Sequence, residues 1–196
     1  PSCLNQMMGP SHNDPEQVPL IRKMFSFLNK AGYQVVFPEK MNRMCCGTIW
    51  ESKGMPDIAD SKSAELEKAL LKATENGKYP VLCDQSPCLM RMRNSIKGIE
   101  MYEPVEFIDK FLLDKLEFQP TDEPITVHAT CSTIRMGLTP ALLKIAKMCS
   151  TSVLVPEEVG CCGFAGDKGF FFSFLNQYAL RKLPAQIDKN KIRVGY

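Results

Sequence analysis

The chain has 196 residues, 44% apolar and 23% charged, with 24 basic against 22 acidic side chains and a net charge of +2. This is the composition of one globular domain or two small ones, and the near balance of charge excludes a binder that relies on attraction to nucleic acid. No apolar run reaches the roughly 18 residues of a membrane span, and no secretory leader is visible. Nine cysteines are unusual in a chain long enough to bury a core without staples. An odd number cannot close entirely into intrachain bridges, and the adjacent pairs Cys45-Cys46 and Cys161-Cys162 would strain a bridge between neighbours. The composition therefore points to a reduced, metal-binding protein of the cytoplasm, with a peripheral place at the cytoplasmic membrane face left open.

In chain order, Cys3 is followed, after four intervening residues, by Met8-Gly9. A helix is expected over 15–31, with Asp14 as N-cap and Gly32 as its stop. A strand over 33–37 then runs into Pro38-Glu39, and Cys45-Cys46-Gly47 follows. Ile58, Leu66, Ala69, Leu70 and Ala73 mark a helix over 57–76, stopped by Gly77. Residues 80–82 read as a buried strand that delivers Cys83, with Cys88 five positions on. A connection over 115–124, carrying Pro120 and Pro124, leads to a strand over 125–127. Next come Cys131, four residues and Met136-Gly137, a helix over 139–148, a strand over 152–155 and Pro156-Glu157. Cys161-Cys162-Gly163, a helical region over 163–183 and a strand over 192–194 complete the chain.

The same landmarks occur twice in one order, so the chain reads as a tandem internal repeat. The expected fold is α/β: two related βαβ-type lobes with parallel strands, covering 1–118 and 119–196. In such sheets functional residues gather at the carboxyl ends of strands, where Cys83 and Cys131 fall. Cys83 stands 37 positions after Cys46, and the same offset from Cys162 falls just beyond Tyr196. With Pro1 as the first residue, both ends read as cut from a longer protein.

Eight cysteines belong to the repeat: Cys3, Cys45, Cys46, Cys83, Cys88, Cys131, Cys161 and Cys162. Cys149 stands apart and reads as a small buried hydrophobe. Thiolates converging from separate loops hold soft metals and iron–sulfur clusters, and four of them suit zinc equally. The plain alternative is that the cysteines are packed core residues. Gly47 and Gly163 fit a turn that aims both preceding sulfurs, because glycine tolerates positive φ. His128, three residues before Cys131, reads as a metal ligand, a proton donor or a hydrogen-bond partner of a ligand. Its alternative is a strand-end histidine satisfied by backbone. His12 reads as a solvated turn residue and Asp167-Lys168 as an exposed polar loop. Phe170, Phe171, Phe172 and Phe174 read as core or lobe interface. Trp50 and Glu51 are placed to pack over the first site. No dinucleotide fingerprint, Walker A motif or Ser-His-Asp order is present, so no catalytic residue is assigned.

Cys3, Cys45-Cys46-Gly47, Cys83 and Cys88 resemble the cysteine-rich CCG domain. That domain occurs in tandem in heterodisulfide reductase B subunits, in iron–sulfur subunits of dehydrogenases using glycerol-3-phosphate, glycolate or lactate, and at the C-terminus of large FAD-linked oxidases. The stretch Cys161-Cys162-Gly163-Phe164-Ala165-Gly166-Asp167-Lys168-Gly169-Phe170, running on to Leu175-Asn176, is similar to the second repeat of the last group. The resemblance implies iron–sulfur ligation, including a noncubane four-iron cluster in heterodisulfide reductase, with zinc or an empty site in some relatives. It implies a first site of Cys3, Cys45, Cys46, Cys83 and Cys88 and an incomplete second site of Cys131, Cys161 and Cys162. Two departures stand out. The terminal C-x2-C of the family is Cys83-Asp84-Gln85-Ser86-Pro87-Cys88 here, and Phe172-Ser173-Phe174-Leu175-Asn176 replaces Phe-Pro-Glu-Leu-Asn.

The resemblance implies an electron-transfer piece of an oxidoreductase acting on a 2-hydroxy acid such as D-lactate or glycolate, inactive by itself. FAD would be bound by the rest of the parent protein. The partners would be other domains or subunits of a FAD/iron–sulfur dehydrogenase and an electron acceptor. The rival expectations are a zinc-binding or metal-free docking module and thiol–disulfide chemistry like that of heterodisulfide reductase.

Overall fold

Short parallel strands joined by helices build the chain, which divides into two units, Pro1–Leu116 and Glu117–Tyr196. The computed structural model describes residues 18–164, 168–192 and 194–195. Cys3, His12, the Asp14 cap and Asp167 lie outside the described residues.

In the first unit, helix α1 (Leu20–Lys30) begins after Pro19 rather than at 15. Proline has no N–H to lose there, and its φ of −59° suits a helix start. Gly32, at φ +81°, stops the helix as expected, and the Tyr33 amide donates to Leu28 O. The expected strand over 33–37 does not form. The segment pairs with no strand among the described residues. Its Tyr33 and Val35 pack on the hydrophobic core, while Val36 and Phe37 are exposed. Tyr33 and Val35 are covered by contact with the core rather than by a neighbouring strand.

A 3-10 turn (Met41–Arg43) and the short helix α2 (Thr48–Ser52) lead to α3 (Pro56–Ala73). Helix α3 buries Ala59, Ser63, Leu66 and Leu70 and leaves Ile58 exposed, which removes Ile58 from the expected apolar face. It ends at Ala73, before the expected 76, because Glu75 and Asn76 already adopt left-handed backbone ahead of Gly77. Strand β1 (Val81–Leu82), helix α4 (Ser86–Ser95) and strand β2 (Met101–Tyr102) form a parallel βαβ unit with Val81 opposite Met101. Helix α5 (Pro104–Phe111) follows at once, capped by the Glu103 carboxylate, which accepts from the Val105 amide at 2.6 Å.

Tyr102, Phe107 and Leu112 pack with Leu28 and Ala31 into one cluster. Its rings meet edge-on or tilted, Tyr102 to Phe107 at 5.9 Å and Phe107 to Phe111 at 5.0 Å. Neither α4, β2 nor α5 was among the expected elements.

In the second unit three parallel strands lie in the order β4-β3-β5, with β3 (Ile125–Thr126) central. Helix α6 (Cys131–Arg135) and helix α7 (Thr139–Cys149) connect β3 to β4 (Val153–Leu154). The expected helical region over 163–183 is broken, with α8 (Lys168–Phe171) and α9 (Ser173–Ala179) in it and α10 (Leu183–Lys189) after it. Strand β5 (Val194–Gly195) begins at the end of the stretch expected over 192–194. Val127, Leu142, Ala146, Val159 and Ile192 are buried. The phenylalanines are not. Phe170, Phe171, Phe172 and Phe174 are exposed, because the helices carrying them are too short to lay a continuous face on the sheet. Cys149 is exposed as well, at the end of α7, and is not the buried hydrophobe expected.

Leu112 is fully buried in the aromatic cluster of the first unit. Leu112→Ala should lower the unfolding free energy of that unit by about 2–5 kcal/mol, read as a shifted urea midpoint with unchanged slope.

Candidate functional site

The site of the first unit starts from a turn only glycine can make. Gly47 is buried at φ +90°, and a Cβ there would overlap the Ala59 carbonyl oxygen and stand 2.7 Å from Arg91 Nε. With Gly47 so placed, its amide donates to Cys45 Sγ at 3.3 Å. Arg91, on α4, is 9% exposed and donates from Nε to the Cys46 carbonyl at 3.0 Å. Its two other nitrogens pair with Glu51 Oε1 at 2.6 Å and Asp60 Oδ1 at 2.7 Å. Glu51 therefore reaches the site through Arg91.

The Cys46 thiol meets Thr48 Oγ1 at 3.1 Å and accepts a hydrogen bond from the Cys88 thiol. That bond holds Cys46 down at about 5 against the opposing effect of burial, with Thr48 assisting. The same bond, together with burial, pushes Cys88 up. Cys83 sits one residue past β1. Burial pushes its thiol up to about 11, and the charge of Cys46 reaches it. Its amide donates to Tyr102 O at 2.9 Å, so its backbone is the last rung of the small sheet. Cys88 lies in the first turn of α4. Cys46, Cys83 and Cys88 are thereby brought together, with Cys45 next to Cys46. The five-residue spacing of Cys83 and Cys88 spans one strand exit and one helix start.

The second unit repeats the turn. Gly163 has φ +73°, its amide donates to Cys161 Sγ at 3.3 Å, and a Cβ would overlap the Leu175 carbonyl oxygen. Asn176 Nδ2, on α9, donates to the Cys162 carbonyl at 2.9 Å. Cys131, the first residue of α6, places its sulfur 3.8 Å from Cys161 Sγ. Its thiol is pushed up by loss of solvent and by that contact, with Cys162 adding to the effect. His128 follows β3, and its Nε2 is buried with no hydrogen-bond partner. Backbone therefore does not satisfy that nitrogen.

Arg91 and Asn176 were not anticipated. Arg91 did leave a trace, a charge inside the run Leu89-Met90-Arg91-Met92. Asn176 closes the stretch that resembles the family.

None of the described cysteines is bridged. Among the described residues no three His, Cys, Asp or Glu side chains form a group placed to hold a metal ion. The donor types still fit a thiolate-bound metal in chemistry: Cys131 and Cys161 hold their sulfurs 3.8 Å apart, each first cysteine accepts an N–H, and an unsatisfied imidazole nitrogen lies buried in the second unit.

The family model CCG, described as Cysteine-rich domain, matches residues 125–193. That stretch is similar to the CCG family, whose domains are generally electron-transfer or metal-binding modules of iron–sulfur proteins. No curated protein and no solved structure matches the chain. No helix among the described residues is long and apolar enough to cross a membrane.

Gly47→Ala should cost on the order of 2 kcal/mol or more, from the left-handed backbone and the overlap with Ala59 O, measured by urea unfolding. The thiols also set a pH dependence for the metal-free, reduced protein. Cys46 falls from an ordinary 9.0 to about 5 on folding, so its contribution is present above pH 9 and is lost as pH falls toward 5. Cys83 rises to about 11, so its contribution is present below pH 9 and is lost as pH rises toward 11. Stability from these thiols should therefore peak near pH 9. Cys88→Ala should flatten the rise between pH 5 and 8, which urea midpoints across that range will read.

Proposed function

We propose that the chain is the electron-transfer cysteine-rich part of a FAD/iron–sulfur oxidoreductase acting on a 2-hydroxy acid of the D-lactate or glycolate type. The observation that carries the reading is the pair of similar Cys-Cys-Gly turns, each with its glycine amide on the first sulfur, one of them inside the CCG match. On this reading the residues form two cysteine-rich repeats, 1–118 and 119–196. Cys3, Cys45, Cys46, Cys83 and Cys88 hold the first centre, and Cys131, Cys161 and Cys162 serve the second. An iron–sulfur centre would supply one-electron storage and transfer at these positions. The chain's own residues aim the sulfurs through Gly47 and Gly163, stabilise them with amide hydrogen bonds, and shield Cys46 and Cys83 from water. Other domains or subunits of the dehydrogenase, one of them carrying FAD, would deliver electrons from the substrate. An acceptor would take them away, and the work would be done in the cytoplasm.

A second reading draws support from Cys46, whose lowered thiol beside Cys88 is the arrangement of an attacking and a resolving cysteine. Metal and acid-labile sulfide analysis of anaerobically prepared protein separates the two. Iron with sulfide, lost in Cys45→Ser and Cys46→Ser, supports the electron-transfer module. Stoichiometric zinc without visible absorption makes it a structural module. A metal-free chain whose Cys46 alkylates far faster than Cys149 points to thiol exchange.

A further inference from the structure

Each Cys-Cys-Gly turn is fastened from outside by one side chain, and the two fastenings correspond. In both units the second cysteine's carbonyl accepts from a side chain on a later helix, Arg91 at 3.0 Å and Asn176 at 2.9 Å. In both, the glycine amide donates to the first cysteine's sulfur at 3.3 Å. In both, the glycine is pressed against a helix carbonyl, Ala59 O in one and Leu175 O in the other. A peptide unit has only a carbonyl and an amide to be held by. Fixing the carbonyl between Cys46 and Gly47, or between Cys162 and Gly163, fixes the orientation of the amide on the same plane. That amide is the one that points at sulfur.

We propose that Arg91 and Asn176 are equivalent positioning residues that orient the Cys-Gly peptide and so aim the glycine amide at the ligand sulfur of Cys45 and Cys161. The proposal deepens the metal-module reading and rests on it only for what the sulfurs hold. Asn176 lies close against Gly169, where a Cβ would stand 2.8 Å from Asn176 Oδ1 and 2.5 Å from the Phe164 ring. Arg91 is kept in place by its pairs with Glu51 and Asp60. The anchors differ in charge. The first turn is held by a cation with two carboxylates, the second by a neutral amide.

The test uses the full chain, reduced and metal-free, and reads amide hydrogen exchange at Gly47 and Gly163 by NMR. Asn176→Ala should speed exchange at Gly163 by roughly five- to tenfold, the loss expected for one hydrogen bond, and leave Gly47 unchanged. Arg91→Gln should do the reverse, and Arg91→Lys should restore part of the protection. Should Asn176→Ala lose its fold by circular dichroism, Gly169→Ala displaces the same amide while keeping it, and should raise exchange at Gly163 alike. Unchanged exchange at the matching glycine in a folded variant overturns the proposal, as does an equal rise at both glycines. Cobalt(II) is then added as a probe. The sulfur-to-cobalt charge-transfer band should weaken or shift in the variants beyond any change in thermal midpoint, and a band unaltered in every variant also overturns the positioning role. If the unmodified chain takes no cobalt into thiolate coordination, the metal reading fails while the exchange comparison still decides the anchors.

Discussion

The left-handed glycine after each cysteine pair is the constraint on which the rest depends. At Gly47 the backbone passes so close to Ala59 O that no side chain fits, and this approach lets α2, α3 and α4 meet over the turn. The glycine does two things with one conformation. It turns the chain sharply enough to start α2, and it swings its amide back onto the sulfur of Cys45. The second unit solves the same problem with different neighbours, replacing a helix-borne arginine by a helix-borne asparagine. Similar geometry reached with unlike residues indicates that the turn is the conserved physical requirement within this chain, and that its fastening is adjustable.

The two glycine turns, the parallel strands and the α/β class were legible because each rests on a local rule. Cys-Cys-Gly calls for positive φ, and short apolar runs before Cys83 and Cys131 read as strand exits. Helix α7 and strand β4 were legible for the same reason, having a proline at the second helical position and an apolar run after it.

Other features escaped because they depend on partners far along the chain. The 33–37 segment is short, apolar and β-branched enough to read as a strand, but what Tyr33 and Val35 pack on is the cluster of Leu28, Tyr102 and Phe107, which no local pattern announces. Arg91 is buried in the middle of a helix, and its three partners lie 31 to 45 positions earlier in the case of Asp60 and Cys46, with Glu51 between them in sequence. The phenylalanines around α8 and α9 misled in the opposite sense. Their density suggested core, while helices of four and seven residues give them no extended face on which to bury. Helix α5 carries strong apolar periodicity but is only eight residues long, and its start is set by a buried carboxylate, Glu103, rather than by a serine or threonine.

The backbone of Cys83 belongs to two structures at once. Its sulfur lies among the thiols, and its amide is bonded to Tyr102, whose ring is packed in the aromatic cluster. The first site therefore cannot fray independently of that cluster. Any fluctuation wide enough to carry Cys83 away must break its rung on β2 and disturb the rings behind it. The lifetime of the sulfur arrangement is in this way tied to the opening rate of a hydrophobic core that, among the described residues, contains no cysteine.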